Sequence, residues 1–206
     1  MNSFFISGIG TEVGKTLISA IVVEALQADY WKPVQAGDLQ NSDTHKVKNL
    51  VSNATSHFFE NAYALQTPMS PHAAAEIDNI QIDLSQIIRP KTTNNLVIEG
   101  AGGVLVPLNE KDCIIDLIKP EDKIILVSRH YLGSINHTLL SIEALQNRGF
   151  KHIGIIFSGD EHPTTESIIL SKTKVKHLGR IPELKNIDKK TILIEAEKVM
   201  RNLNEF

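Results

Sequence analysis

The stretch Gly8-Ile9-Gly10-Thr11-Glu12-Val13-Gly14-Lys15-Thr16, GIGTEVGKT, decides how this chain is read. It nearly spells a phosphate-binding loop, whose usual pattern is a Gly, four residues, then Gly-Lys-Ser/Thr. Counting back from Gly14 puts Ile9 where the first Gly belongs, with Gly8 one residue upstream and Gly10 one residue downstream of it. The surroundings make the motif credible all the same. FFISG reads as a strand running into the loop, and KTLISAIVVEALQA as a helix with Leu17, Ala20, Ile21, Val22 and Leu26 free to pack on a sheet. Strand, glycine loop, Lys-Thr and helix are the context a phosphate cradle requires, since loop amides and the helix N-terminus together present donors and positive dipole. Lys15 adds a point charge for the β- and γ-phosphates, and Thr16 a hydroxyl for Mg2+. The longer loop moves Thr11 and Glu12 to its mouth. There a carboxylate repels phosphate, so Glu12 is expected to point away, toward a cationic group of a second substrate or a partner.

Outward from that loop, apolar runs of strand length recur at 4–7, 30–34, 95–100, 123–128, 152–158 and 176–181. Continuous rather than alternating runs are what a strand covered on both faces needs. Helical spacing fills 15–28, 43–53, 134–148, 164–172 and 188–203. The alternation predicts one doubly wound, mainly parallel α/β sheet over residues 1–206, a P-loop NTPase-like single domain with ligands at the carboxyl ends of its strands. The least regular part is 58–90, where YALQTPMSPHAAAE carries two prolines of the kind found in loops that touch substrate.

Composition narrows the function. With 206 residues, 21 Lys+Arg against 24 Asp+Glu and a net charge of −3, the chain offers no basic face, so nucleic acid is not an expected partner. No apolar run is long enough to span a bilayer and no signal-peptide start is seen, so no membrane association and a cytoplasmic location are expected. The single cysteine, Cys113, reads as a small packed residue in an amphipathic stretch, and the eight histidines show no zinc spacing. Any metal is expected to be held by oxygen.

A P-loop needs further oxygen ligands for Mg2+ at the end of a neighbouring strand. In NNLVIEGAGG, Glu99 falls at that place, with Gly100, Gly102 and Gly103 letting the backbone approach a ligand. Asp43 reads either as such a ligand or as the N-cap of helix 43–53. Lys32, before Pro33, reads either as a lysine snorkelling to solvent or as a group bordering the P-loop crevice, and its place at a strand end favours the crevice.

Taken together, GIGTEVGKT, WKPVQAG, NSD, SPH, VIEGAGG and LGSINH, in this order and spacing, resemble the dethiobiotin synthase family. The likeness runs to about Gly159, with a weaker echo in GRIPEL. It implies a homodimer that carboxylates 7,8-diaminononanoate with CO2 (or bicarbonate as its source), uses Mg2+ and ATP to convert the carbamate to a carbamic-phosphoric anhydride, and closes a cyclic urea. It further implies that Glu12, Val13, Gly14, Lys15, Thr16 and Leu17 contact ATP, and that Thr16, Asp43 and Glu99 surround Mg2+. Lys32 is then the catalytic lysine, with Lys15 helping to neutralise the transferring phosphoryl group. Glu99, Gly100, Ala101 and Gly102 would lie along the nucleotide, and Pro182, Glu183 and Leu184 would close over its base. Thr11, Glu12, Lys32 and Ala36 would face the diamine. Gly133, Ser134, Ile135 and Asn136, at the start of helix 134–148, would receive its carboxylate tail in the other subunit's site. Ser134 is also placed to cap that helix, while His72 and His137 read as structural.

Two positions depart from the family's pattern. Ala36 stands where members commonly have Ser or Thr, and Ser158 where they often have an amide side chain against adenine, which leaves ATP, GTP and CTP all open. Rival readings are a switch ATPase of the partitioning or iron-protein type and a non-catalytic nucleotide-binding paralogue. The first commonly has an additional early loop lysine, absent from Gly8 to Thr11. A regulatory GTPase needs an NKxD guanine reader, which this chain lacks.

Overall fold

The computed structural model describes residues 1–206. Its strands are β1 (Ser3–Gly8), β2 (Asp29–Trp31), β3 (Val34–Ala36), β4 (Phe58–Phe59), β5 (Tyr63–Leu65), β6 (Leu96–Gly103), β7 (Lys123–Arg129), β8 (Ile153–Ser158) and β9 (Lys176–Ile181). Six helices accompany them: α1 (Lys15–Leu26), α2 (Asp43–Leu50), α3 (Pro71–Ile77), α4 (Ser134–Asn147), α5 (Pro163–Thr173) and α6 (Lys189–Asn204). The apolar runs of the sequence become the central strands, because only buried strands tolerate side chains such as Phe4, Phe5, Ile6, Val97, Ile98 and Ile124 to Val127 on both faces.

Seven strands form one parallel sheet in the order β4-β2-β6-β1-β7-β8-β9. From β1 the chain crosses through α1 toward β2, and from β7 it crosses through α4 toward β8, in opposite directions along the sheet. With right-handed crossovers the helices therefore cover opposite faces, and the β1/β7 boundary is the topological switch point at which such sheets bind ligands. The P-loop follows β1 at that boundary, and Ile9 N–H donates to Val127 O at 3.1 Å to anchor its start.

The expected strand 30–34 is interrupted. Pro33 has no N–H to continue the ladder, so β2 ends at Trp31 and a separate two-stranded sheet, β3-β5, begins at Val34. The irregular segment 58–90 holds β4, β5 and α3, elements of two to seven residues that periodicity does not reveal. At α2 the N-cap is Ser42, whose hydroxyl accepts from His45 N–H, so Asp43 is the first helical residue rather than the cap. At α4 Gly133 holds the cap position in a left-handed conformation and Ser134 lies inside the helix, buried. No helix is long and apolar enough to cross a membrane.

One buried ion pair fastens the long connection before β6 to the bottom of the sheet. Arg89 donates from Nη1 and Nη2 to the two oxygens of Asp122 at 2.7 and 2.8 Å, and Asp122 also accepts from Lys119 N–H at 2.8 Å. Removing only the cation leaves a buried carboxylate that keeps hydrogen bonds from Lys119 N–H and the Ser3 hydroxyl but has no counter-charge. Arg89→Ala is therefore expected to destabilise the protein by roughly 3–5 kcal/mol, read as a lower urea midpoint with an unchanged slope; a midpoint equal to the parent's would refute this account of the pair.

Candidate active site at the carboxyl ends of the strands

The GIGTEVG loop closes over the start of α1 and folds its lysine inward. Lys15 is buried and donates from Nζ to Gly10 O at 2.8 Å. Two glycines fix this shape. A Cβ on Gly8 would fall 2.6 Å from Val13 Cγ2, and Gly14 has φ 94°, where a Cβ would also meet Ser158 Oγ at 2.9 Å. Glu12 takes a left-handed φ of 58° without being Gly, which turns it outward, exposed at the loop's mouth as expected. Burial pulls the Lys15 ammonium down to about 8, against partial support from Glu99 and Asp43. An ammonium held this way meets a strong gain when a polyanion arrives.

Register places the remaining charges. Trp31 of β2 pairs with Ile98 of β6, so Lys32, just past β2, lies level with Glu99, which sits within β6 rather than at its end because the strand continues to Gly103. Lys32 Nζ lies 3.0 Å from Glu99 Oε1 and 2.9 Å from Asp43 Oδ2, with the lysine and Glu99 buried. Burial alone would lower the Lys32 pKa, but Glu99 and Asp43 hold it above the ordinary lysine range. Asp43 shows the converse: burial pushes its carboxyl up and Lys32 brings it below the ordinary carboxylate range. Glu99 also accepts from Thr16 Oγ1 at 3.0 Å and from Tyr30 OH at 2.9 Å. Gln35 accepts from Asp43 N–H at 3.2 Å and donates to Gly37 O at 3.0 Å, fixing α2 beside β3.

Thr16, Asp43 and Glu99 therefore converge as hard oxygen donors around one point. The chain has no group of three His, Cys, Asp or Glu residues suited to a metal. Two carboxylates and a hydroxyl form a partial shell, which fits Mg2+, an ion that keeps waters and binds through a few protein oxygens and substrate phosphates.

From the P-loop a cleft of about 760 Å3 extends along the strand ends. Toward β2 it is lined by Lys32, Val34, Gln35, Ala36, Asp43 and Pro68 to Pro71, and toward β8 and β9 by Arg129, Ser158, Pro182, Glu183, Leu184 and Ile187. Thr11, Glu12, Gly14 to Leu17, Glu99, Ala101 and Gly102 line its middle. Val13 and Gly100 shape the wall from behind, Val13 buried and Gly100 packed where a Cβ would meet Ile114 at 3.0 Å. Gly133 to Asn136 do not line this cleft; they begin α4 on the surface beside exposed Tyr131 and Leu132. His72 shares a hydrogen bond with Ser70 and His137 one with Tyr131. Half-buried Cys113 has its thiol pushed up by burial, the reverse of an activated nucleophile.

Sequence reasoning missed Tyr30, Gln35 and Arg129. Arg129 forms an ion pair with Glu183 across the β8–β9 arm. Tyr30 sits inside an apolar run and reads as core, and its signal is the hydroxyl, which a buried tyrosine must satisfy.

A parallel sheet wound in both directions, a P-loop at its switch point and an acid-lysine cluster level with it define the class of P-loop nucleotide-dependent enzymes. A family model described as an AAA domain matches residues 2–191. In solved structures the fold resembles the MinC:MinD cell division complex of Aquifex aeolicus (TM-score 0.61, 14% identity, 98% of this chain and 96% of that one). It also resembles a putative plasmid partition protein of Borrelia burgdorferi bound to AMPPNP (TM-score 0.62, 16% identity, 99% and 98%). Identities that low carry the fold alone. Whole-chain relatives are much closer: the ATP-dependent dethiobiotin synthetase BioD of Christiangramia forsetii is 66% identical over 204 residues, covering 99% of both chains. The corresponding synthetase of Cytophaga hutchinsonii is 46% identical over 207 residues and covers both chains completely. The chain belongs to the ATP-dependent dethiobiotin synthetase family, a ligase of biotin biosynthesis that uses ATP.

The buried Lys15 gives a test that requires no substrate. The unfolded chain keeps this proton up to about pH 10.5, the folded one only to about 8, so the penalty is full below pH 8 and is relieved as pH rises toward 10.5. Lys15→Met is expected to raise nucleotide-free stability at pH 7 by up to about 3 kcal/mol, with the gain shrinking to near zero by pH 10.5. Thermal melts of both proteins across that range check this, and a pH-independent difference would contradict it.

Proposed function

We propose that the two arms of the cleft divide the two substrates of the dethiobiotin-forming reaction, with ATP running from the P-loop into the β8–β9 arm and 7,8-diaminononanoate lying along the β2–β3 arm. The observation that carries this reading is the buried Lys32 ammonium, held between Glu99 and Asp43 beside Thr16. In this reading Glu12 through Leu17 bind the phosphates, Glu99 through Gly102 flank the nucleotide, and Pro182 to Leu184 cover the base. Thr11, Glu12, Lys32 and Ala36 face the diamine.

One amine of the diamine takes up CO2 and loses a proton, giving a carbamate. A carbamate oxygen then attacks the γ-phosphorus, ADP leaves, and a carbamic-phosphoric anhydride forms. The second amine attacks its carbonyl carbon, phosphate departs, and the ureido ring is closed. In the phosphoryl step an anion approaches an anion, and the charge spreads over the transferring group. Lys15 and Lys32 stand on either side of that group as preorganised cations in a site of low dielectric. Thr16, Asp43 and Glu99 would hold Mg2+, which when bound neutralises charge on the β- and γ-phosphates. Glu99 and Asp43 keep Lys32 protonated, so it serves as a fixed charge rather than a base. Little proton transfer is required while phosphorus is attacked, and positioning carries most of the rate.

The reading extends to a homodimer in which Gly133, Ser134, Ile135 and Asn136 of each subunit reach the other's cleft. What supports it is the exposure of Leu132, Tyr131, Ile135 and Leu140 around a helix N-terminus that is free to meet a carboxylate. A switch ATPase shares the fold but would hydrolyse ATP without regard to the diamine. A non-catalytic paralogue would release no phosphate.

Purified protein with Mg-ATP, bicarbonate and 7,8-diaminononanoate is expected to form dethiobiotin, seen by mass spectrometry, in step with released phosphate; phosphate release indifferent to the diamine would overturn the reading. Lys32→Ala is expected to lose about 100-fold or more in kcat while the fold persists, and turnover at the parent rate would remove Lys32 from the mechanism. Sedimentation is expected to give twice the chain mass of 22.8 kDa, and Leu132→Glu to shift the protein toward monomer with loss of activity; an active monomer would refute the shared site.

A further inference from the structure

At the β8–β9 end of the cleft, the segments just past β7 and β8 and the end of β9 itself are joined through one side chain that does not line the cleft. Glu166, on the first turn of α5, is buried with 6% exposure. Its Oε1 accepts from His130 Nε2 at 2.8 Å and from His162 N–H at 3.3 Å. Its Oε2 accepts from Arg180 Nη2. Arg180 in turn donates from Nη1 to Asp160 O at 3.3 Å.

Each of these partners is a near neighbour in sequence of a residue that lines the cleft. His130 follows Arg129 at the end of β7, Asp160 lies two residues past Ser158, and Arg180 precedes Pro182 and Glu183. The His130 ring is further held against Phe157 of β8 at 5.4 Å between centroids. Arg129 and Glu183 complete the arrangement by pairing with each other across the arm. A buried ion pair of this kind adds little net stability against apolar replacements of the same shape. What it does supply is geometry, because one carboxylate with fixed partners sets the spacing of three strand ends.

We propose that Glu166 is a positioning residue for the nucleoside end of the cleft, acting through Arg180 and His130 to place the Arg129–Glu183 pair and Ser158 against the nucleoside of ATP. The inference rests on the reading in which this arm holds the nucleoside. Phosphate contacts belong to the P-loop amides and Lys15, and Lys15 bonds to Gly10 O rather than to Glu166, His130 or Arg180.

The test separates the two ends of the nucleotide by comparing Mg-ATP with Mg-tripolyphosphate, which has the phosphates and no nucleoside. Glu166→Gln, and the double variant Glu166→Gln with Arg180→Met that leaves no unpaired buried charge, are measured by calorimetric titration without diamine. The expected result for both is a Kd for Mg-ATP raised about tenfold, some 1.4 kcal/mol, with the Kd for Mg-tripolyphosphate within about twofold of the parent's. In turnover the expected signature is a raised KM for ATP with kcat nearly unchanged at saturation. Equal weakening toward both ligands would overturn the proposal, showing a general loss of structure, as would unaltered ATP affinity in a folded variant. A parent that binds Mg-ATP no tighter than Mg-tripolyphosphate would overturn it too, by removing the nucleoside from this arm. Because binding is read without the diamine, failure of dethiobiotin formation counts against the proposed function and leaves this comparison standing.

Discussion

An ammonium buried between two carboxylates is the interaction around which the rest of this molecule is arranged. Burial alone would push Lys32 toward losing its proton and Asp43 toward taking one up. Together they keep their charges, but only if β2, β6 and α2 hold them within hydrogen-bond range. Each of these elements is tied to its neighbours accordingly. β2 and β6 are locked by register, Asn61 Nδ2 donates to Lys32 O at 2.7 Å, and Gln35 binds the start of α2. Farther away, Glu24 of α1 accepts from Ser52 just beyond α2 at 2.6 Å from the backbone, which pins the helix that carries Asp43. The cluster is costly to desolvate and contributes little stability. In the proposed reaction its value is a charge held ready beside the transferring phosphoryl group.

The same arrangement explains why Lys15, at the start of α1, and Lys32, just past β2, behave oppositely although both feel Glu99. Lys15 has a carbonyl oxygen as its close partner and feels Glu99 and Asp43 only at a distance, so burial dominates and its pKa falls to about 8. Lys32 touches both carboxylates and its pKa rises. One is a buried ammonium with only a backbone oxygen in contact. The other is a permanent fixture.

Much of this was legible in the sequence, and the reasons are physical. Strands covered on both faces must be largely apolar, which is why β1, β6, β7 and β8 stand out as runs and their bounds hold to within three residues. The P-loop, Glu99 and Lys32 drew attention in the sequence because each lies at or just past the end of an apolar run, and the structure brings them to one cleft. What escaped was either short or distant. β4 and β5, at two and three residues, are shorter than any period that could reveal them. The break at Pro33 was visible but was outweighed by the apolar residues around it. Asp43 was ambiguous because a favourable cap residue and an acid facing the cleft look alike in sequence; the structure gives the cap to Ser42 and pairs Asp43 with Lys32. Arg129 and Glu183 are 54 residues apart, and nothing local announces that they meet.

The separation of β3-β5 from the main sheet has a bearing on how such a site changes over generations. That two-stranded ribbon hydrogen-bonds within itself, and its Gly37 is packed so tightly on Pro68 that a Cβ would fall 2.5 Å away. It carries Ala36 and abuts the Pro68–Pro71 turn, but none of the P-loop. Drift in the ribbon therefore reshapes the cleft wall at Ala36, but it cannot do so freely, because Gln35 of the same strand holds the start of α2 and with it Asp43.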